Sequence, residues 1–481
     1  MRAADRLALP LAPDARAHVG DMLASEAVRP WLAVEVVSRA LRRRLTKPDR
    51  SAGREGELLL PDNGLADLSS QRIYLTSEAV IRAIERVAAS RERLRLGRCA
   101  ITGIAPLGAE THNGGQRPLQ IHFSRRHRLV YKPVSLVPDA VFQRVVATLA
   151  GAPGLPALWT PWLVPVDASH GFREYVAGPG TDGGAAAVRQ RFFLRLGALS
   201  AVAYALNLTD MHLENVLANG EHPVFLDLET LLYRYPAGAP QDLTTTGLIQ
   251  SPDLHSTPLS GIQGGGRVER LGVSMCEQRP GVPELAYRRP DWLADNRLRN
   301  EAGGLVDPTQ HSMEIVEGFT CAYRVLMERR EEIRALVVAA APRDLHTRHI
   351  LRFTSYYLLH LFRLIQPARA PDADRRAGLE GCLERDESAH GRVTQAVARC
   401  EAVDLLAGDV PYFFAAADAT NLLHHSGCCV PNFFHETAVA ALEERLSSLC
   451  ETDLAAQSEL LVGGLASSTR ATVPVDRRQV A

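Results

Sequence analysis

Lysine is nearly missing from this chain: of its 54 lysine and arginine residues, only Lys47 and Lys132 are lysine. A sequence that otherwise supplies its positive charge as arginine keeps one compact ammonium inside the apolar run Leu129-Val130-Tyr131-Lys132-Pro133. That group suits a point contact with phosphate. An excess of charge of either sign is missing too. The formal net charge of −1 excludes a global field that would draw the protein to nucleic acid or to an anionic membrane, leaving only local patches. No apolar run reaches the ~18 residues of a membrane helix. Met1 to Asp14 also lack the basic start and apolar core of a signal peptide. A soluble cytoplasmic protein without stable membrane insertion is therefore expected. The eight cysteines (Cys99, Cys276, Cys321, Cys382, Cys400, Cys428, Cys429, Cys450) include no CxxC pair. The adjacent Cys428-Cys429 is a poor ligand spacing, so the cysteines read as reduced, mostly buried thiols.

What is present is enough for a large core. A chain of 481 residues, 46% hydrophobic and 23% charged, exceeds one simple core and predicts a two-lobed domain or several packed ones. Residues 1–98 read as a helical segment, with period-3.6 patterns at Trp31 to Leu45 and Ser77 to Leu96 and a loop from Lys47 to Asp67 between them. From Cys99 the pattern changes to short β-rich runs at Cys99 to Ile104, Leu119 to Phe123, Leu129 to Lys132 and Phe172 to Val176, as in a small antiparallel sheet over 99–180. The glycine-rich Gly178 to Gly184 links this lobe to a helical one over 181–465. The second lobe opens with a buried helix, Val188 to Leu206. Residues 234–310 read as a long mobile excursion. Helical patterns return at Met313 to Val338, Leu351 to Ile365, Arg392 to Ala407 and Thr437 to Leu461, and a loose tail closes the chain over 466–481. No internal repeat is found.

Three patches then combine. Asp210 precedes Asn215 by the spacing of D-x-x-x-x-N in a kinase catalytic loop, and Asp227 follows at the end of the apolar run Pro223 to Leu226. In phosphoryl transfer the protein mainly places charge: a lysine on the nucleotide phosphates, an aspartate at the acceptor hydroxyl, an Asn and an Asp on magnesium. Lys132, Asp210, Asn215 and Asp227 supply that set, with Asn215 and Asp227 as the magnesium pair. Glu229 alternates with Asp227 along a strand and would share its face. Upstream, Glu110-Thr111-His112-Asn113-Gly114-Gly115 lies between two predicted strands, where the glycines would let backbone amides approach a phosphate. Taken singly, Lys132 also reads as an exposed strand lysine, Asp210 and Asn215 as a cap and turn, Asp227 as a strand-end residue and His212 as a packed loop histidine. The order of all the patches together favours the phosphoryl-transfer site.

The same residues resemble a known family, the dehydratase domain of class II lanthipeptide synthetases of the LanM type. The resemblance rests on Thr111-His112-Asn113-Gly114-Gly115, Leu129 to Pro133, Thr209-Asp210-Met211-His212-Leu213-Glu214-Asn215 and Asp227-Leu228-Glu229-Thr230. Weaker echoes lie at Thr246 to Leu248, Ile315 to Phe319 and Gly408 to Phe413, so that about residues 85–465 are covered. It implies an α+β, bilobal, lipid-kinase-like fold with added helices. The implied chemistry is phosphorylation of Ser and Thr in a ribosomal precursor peptide, leader plus core, with ATP and Mg2+, then elimination of phosphate to dehydroalanine or dehydrobutyrine.

Elimination needs the α-proton removed while negative charge leaves with phosphate, so a guanidinium and a hydrogen-bonding hydroxyl near the phosphate are chemically appropriate. The resemblance assigns these to Arg348 and Thr354 in the segment 345–365, with Arg352 between them. The implied catalytic set is Lys132, Asp210, His212, Glu229, His112, Arg348 and Thr354. Lys132, His112, Gly114 and Gly115 are implied as nucleotide contacts, and Asn215 and Asp227 as metal ligands. Three departures stand out: Glu110 where the family has Asp, a shorter region before the sheet, and a chain that stops where the dehydratase ends, without the Cys-His set of a zinc cyclase. The expectation is a stand-alone dehydratase, whose product either passes to a separate cyclase or other modifying enzyme or carries only dehydrated residues. A kinase without elimination and a silent peptide-binding scaffold are the alternatives.

Overall fold

The computed structural model describes residues 64–467 other than 109, 125–126, 180–181, 237, 251–258, 265, 268–271, 280–281, 289–290, 293–294, 343, 365–371, 387, 389–390 and 392–393. The expected helix from Trp31 to Leu45, most of the loop that follows it and the tail beyond Ser467 lie outside these residues.

Helix α1 (Gly64–Ala89) leads into five strands, β1 (Ile101–Pro106), β2 (Leu119–Phe123), β3 (Arg128–Lys132), β4 (Leu163–Asp167) and β5 (His170–Glu174). They pair antiparallel in the order β1-β2-β3-β5-β4. The alternation in β2 is that of a half-buried strand: Leu119, Ile121 and Phe123 are buried while Gln120 and His122 are only partly covered. The buried residues join Val80, Ile84 and Val87 of α1 in one apolar cluster with Tyr131 and Phe172. The helix thus belongs to the sheet it covers. Strand β3 is buried from Leu129 through Lys132, as expected of a central strand covered on both faces.

Helix α2 (Val137–Thr148) follows β3, and α3 (Ala186–Ala205) begins the larger part of the molecule. From Phe192 to Ala205 every α3 side chain is buried, as its apolar circumference predicts. Its main partner is α4 (Ser312–Glu328). The two backbones touch where neither chain has a side chain: a Cβ on Gly197 would stand 1.9 Å from the carbonyl oxygen of Ile315, and one on Gly318 would stand 1.8 Å from that of Leu194. The hairpin β6 (Val216–Asn219) and β7 (His222–Phe225) leaves α3 by way of the loop 206–215.

The stretch 234–310 is not the featureless excursion its composition suggests. Strands β8 (Gly266–Arg267) and β11 (Asp291–Trp292) pair antiparallel there, as do β9 (Gly272–Arg279) and β10 (Val282–Arg288). The expected single helix over Met313 to Val338 is two, α4 and α5 (Arg330–Ala340), because Arg329 leaves helical geometry at φ −99, ψ 20. The segment 345–365 begins as strand β12 (His346–His349) and becomes helix α6 (Thr354–Leu364). Helices α7 (Asp372–Arg385) and α8 (Gln395–Ala407) come next, α8 capped by Thr394 and closed by Gly408 at φ 79. Strands β13 (Phe413–Ala416), β14 (Leu422–His424) and β15 (Cys429–Val430) then join β12 in a second antiparallel sheet, in the order β12-β13-β14-β15. Helices α9 (Ala438–Ser448) and α10 (Glu451–Ser467) replace the single helix expected over Thr437 to Leu461, since Leu449 is extended. None of the described helices is long and apolar enough to cross a membrane.

Candidate active site

Strand β3 delivers Lys132 to the inner end of the first sheet, where its side chain is 4% exposed. Its register partner on β5 is Gly171, whose missing side chain leaves room for Leu136. The ammonium lies 2.5 Å from Oδ1 of Asp227, the residue two after β7. Asp227 sits in left-handed backbone at φ 58, an uncommon state for a non-glycine residue and one that accumulates at functional sites. Burial pushes its carboxyl up, but the Lys132 ammonium, aided by Arg348 and Arg173, outweighs this and holds it at about 2. The side chain keeps 37% of its surface open, so this carboxylate is charged and reachable.

Register then fixes Asn215. Val216 pairs with Phe225, and the Leu226 amide donates to the carbonyl of Asn215, so Asn215 and Asp227 emerge from the same end of one hairpin. The amide nitrogen of Asn215 donates to the Asp210 carbonyl at 2.8 Å and lies 3.3 Å from Nε2 of His212. An amide oxygen and a carboxylate are the hard oxygen donors that could hold a magnesium ion. Asp210 is a second left-handed aspartate, at φ 61. Burial raises its carboxyl; His212 and Arg348 oppose the rise and Asp227 adds to it. The loop is held from outside, with the amides of Met211 and Leu213 donating to the carbonyls of Thr246 and Leu259.

A second charged group adjoins the first. The carboxylate of Glu229 accepts from Nη1 of Arg348 at 2.5 Å and from the hydroxyl of Tyr412 at 3.0 Å, and the guanidinium lies 5.0 Å from the centre of the Tyr412 ring. The two arms of the second sheet make this meeting, because Arg348 on β12 and Tyr412 just before β13 arrive side by side. Burial and Asp227 push the Glu229 carboxyl up against the pull of Arg348, whose own guanidinium is held above its ordinary value by Glu229 despite burial. His112 stacks edge-on to Tyr412 at 5.5 Å and places Nδ1 2.7 Å from the carbonyl of Val410. A carbonyl only accepts, so Nδ1 carries the proton and Nε2 holds the lone pair. Burial and then Arg348 lower this imidazole to about 4, so it is neutral near pH 7. Thr354, the first residue of α6, reaches Glu110 at 3.5 Å. Arg348 and Thr354 therefore stand near the end of a strand and at the start of a helix.

Two expectations meet a different arrangement. The amides of Gly114 and Gly115, expected to approach a phosphate, donate to Oδ2 of Asp409 at 2.7 and 2.9 Å. Their positive φ, 80 and 79, is what turns both amides to one carboxylate, and a Cβ on Gly115 would stand 2.9 Å from the backbone of Leu75. Arg352 is turned away from Arg348 and buried, donating to Glu401 at 2.9 Å and to the carbonyls of Leu383 and Asp386. Sequence reasoning passed over Tyr412, Asp409 and Arg72. Tyr412 and Asp409 lie inside a run that the resemblance touched only weakly, and Arg72 lies before it. Asp139, buried on α2 and acted on by Lys132 and Arg173, was missed because it reads as an ordinary first-turn residue.

Over 294 residues the chain is 23% identical to the lacticin 481/lactococcin biosynthesis protein LcnDR2 of Lactococcus lactis subsp. lactis, a match covering 56% of this chain. The matched part spans 31% of that protein's length. The profile of a domain of unknown function, DUF4135, matches residues 64–416, from α1 to the end of β13 and so across every group described above. The chain belongs to the DUF4135 family.

Proposed function

We propose that the protein is an ATP- and magnesium-dependent dehydratase of Ser and Thr residues in a ribosomal precursor peptide, working in the kind of biosynthesis for which its lactococcal relative is named. The observation that carries this reading is the meeting of Lys132 with Asp227 at 2.5 Å, beside Asn215 and Asp210, in a protein of mixed helices and antiparallel sheets. A bilobal kinase-like plan accounts for that convergence from both parts of the chain. ATP supplies the phosphoryl group, and magnesium held by Asn215 and Asp227 offsets its charge. Lys132 steadies the phosphates. Asp210, its proton affinity raised by burial, takes the proton of the peptide hydroxyl as that oxygen bonds to the terminal phosphorus and the bond to ADP breaks.

In the second half the Cα proton of the phosphorylated residue leaves, the Cα=Cβ bond forms, and the Cβ–O bond breaks to release phosphate. Arg348, fixed by Glu229 and Tyr412, offers a guanidinium to the departing phosphate, with Thr354 as hydroxyl donor. His112, neutral near pH 7 with a lone pair on Nε2, is the acceptor for the Cα proton in this reading, and His212 is a further proton acceptor or donor. The test is the mass of the precursor peptide after incubation with the protein, ATP and magnesium. Loss of water is expected from the wild type, and accumulation of phosphopeptide from Arg348→Ala or Thr354→Ala. A stable phosphate adduct from the wild type would mean a kinase without elimination. Binding without any mass change would mean a scaffold.

A further inference from the structure

Three buried carboxylates lie close together on α8 and the residues that follow it, and two of them have an arginine: Glu401 takes Arg352 at 2.9 Å and Asp409 takes Arg72 at 2.5 Å. The third, Asp404, has a side chain 2% exposed, and its charged partners among the described residues are two imidazoles alone. Nε2 of His424 lies 2.8 Å from one carboxylate oxygen, and Nε2 of His425 lies 2.6 Å from the other. The Tyr412 amide adds a long contact of 3.4 Å. A buried carboxylate ordinarily requires a permanent cation. Here the two rings converge on it from β14 and the turn after it, with their donor atoms and the carboxylate all within 4.8 Å. Two nitrogens and one oxygen form a borderline donor set that selects a transition ion over magnesium. Two thiols are also at hand: Cys400, one helical turn before Asp404, hydrogen-bonds that of Cys428, which follows the same turn as the histidines.

We propose that Asp404, His424 and His425 form a zinc site that pins the hairpin β14–β15 to α8. A tetrahedral ion with ligand bonds of about 2 Å spaces its ligands slightly wider than these contacts. Binding therefore opens the cluster by a few tenths of an ångström and frees each Nε2 lone pair for the metal, the proton now shared with Asp404 passing to Nδ1 or to solvent. The site lies directly behind the segment 408–412, which carries Asp409 toward Gly114 and Tyr412 toward Glu229. It is separate from the magnesium pair and does not rest on the proposed reaction. The full chain, stripped with chelator, is titrated with Zn2+ against a chromophoric chelator, and with Co2+ read by its visible absorption. One tightly held ion per chain with a tetrahedral cobalt spectrum is expected, weakened at least tenfold in His424→Gln and His425→Gln. His425 is partly exposed, so its variant keeps the fold and decides the matter if His424→Gln does not fold. Failure of the wild type to compete with the chelator would overturn the proposal, as would equal affinity in His425→Gln.

Discussion

Lys132 lies in a strand buried on both faces, its compact ammonium set against one carboxylate oxygen of Asp227. Lys132→Arg keeps the charge but widens the head group. It is expected to lose at least about a hundredfold in peptide modification, the scale of removing one preorganised charge contact, in the assay above. Lys132→Ala and Asp227→Ala are expected to leave the peptide unmodified. His112 makes a prediction about pH. It titrates near 4 when folded and near 6.5 when unfolded, so between those values the unfolded chain binds more protons and stability falls on acidification. Between pH 6.5 and 4.5 the wild type should lose about 2 kcal/mol that a His112→Gln variant keeps, measured by denaturant unfolding at each pH. At this scale much was legible. Lys132, Asp210, Asn215 and Asp227, which the fold brings together, could be singled out because polar and charged residues at the ends of apolar runs have few other duties. Gly114 and Gly115 misled, since a glycine advertises a positive φ and not the acceptor that its amide finds. The carboxylate they find lies at Asp409, in a distant part of the chain.

At the scale of elements, the platform under the loop bearing Asp210 and Asn215 is the glycine crossing of α3 and α4. A methyl group at either Gly197 or Gly318 would fall within 2 Å of a facing carbonyl oxygen, and backbone cannot swing aside as a side chain can. Gly197→Ala and Gly318→Ala are each expected to destabilise by the upper end of the ~1–3 kcal/mol typical of overpacking, or more, as a lowered unfolding midpoint. Activity should fall in parallel, because α3 runs straight into the loop bearing Asp210 and Asn215. The buried α3 could be read from its unbroken apolar circumference, and four of the five strands of the first sheet from their short β-rich runs, while β4 was passed over. The second sheet could not. Its strands have two to four residues, too short to show a period, and β12 finds its partner β13 only after three helices have intervened. Breaks at Arg329 and Leu449 escaped for a related reason, as neither has a proline or glycine to announce it.

For the molecule as a whole, Asp409 is the seam. Its carboxylate takes the guanidinium of Arg72 from α1, the hydroxyl of Thr111 and both glycine amides, while the Val410 amide donates to the Thr111 carbonyl. Asp409→Ala strands a buried guanidinium and two amides at once. It is expected to cost about 3–5 kcal/mol, seen as a lower urea midpoint, with hydrogen exchange rising first in residues 111–116. Composition gave the size of the core but not this seam, because no local pattern says which distant carboxylate a loop awaits. The seam also orders events in time. A nascent chain leaves the ribosome from its amino end, so α1 and the first sheet emerge long before residue 409 has been translated. Until that carboxylate arrives, the turn at Gly114 and Gly115 has no anchor. The turn that leads from β1 to β2 must therefore wait, unfinished, on synthesis of a residue about three hundred positions later.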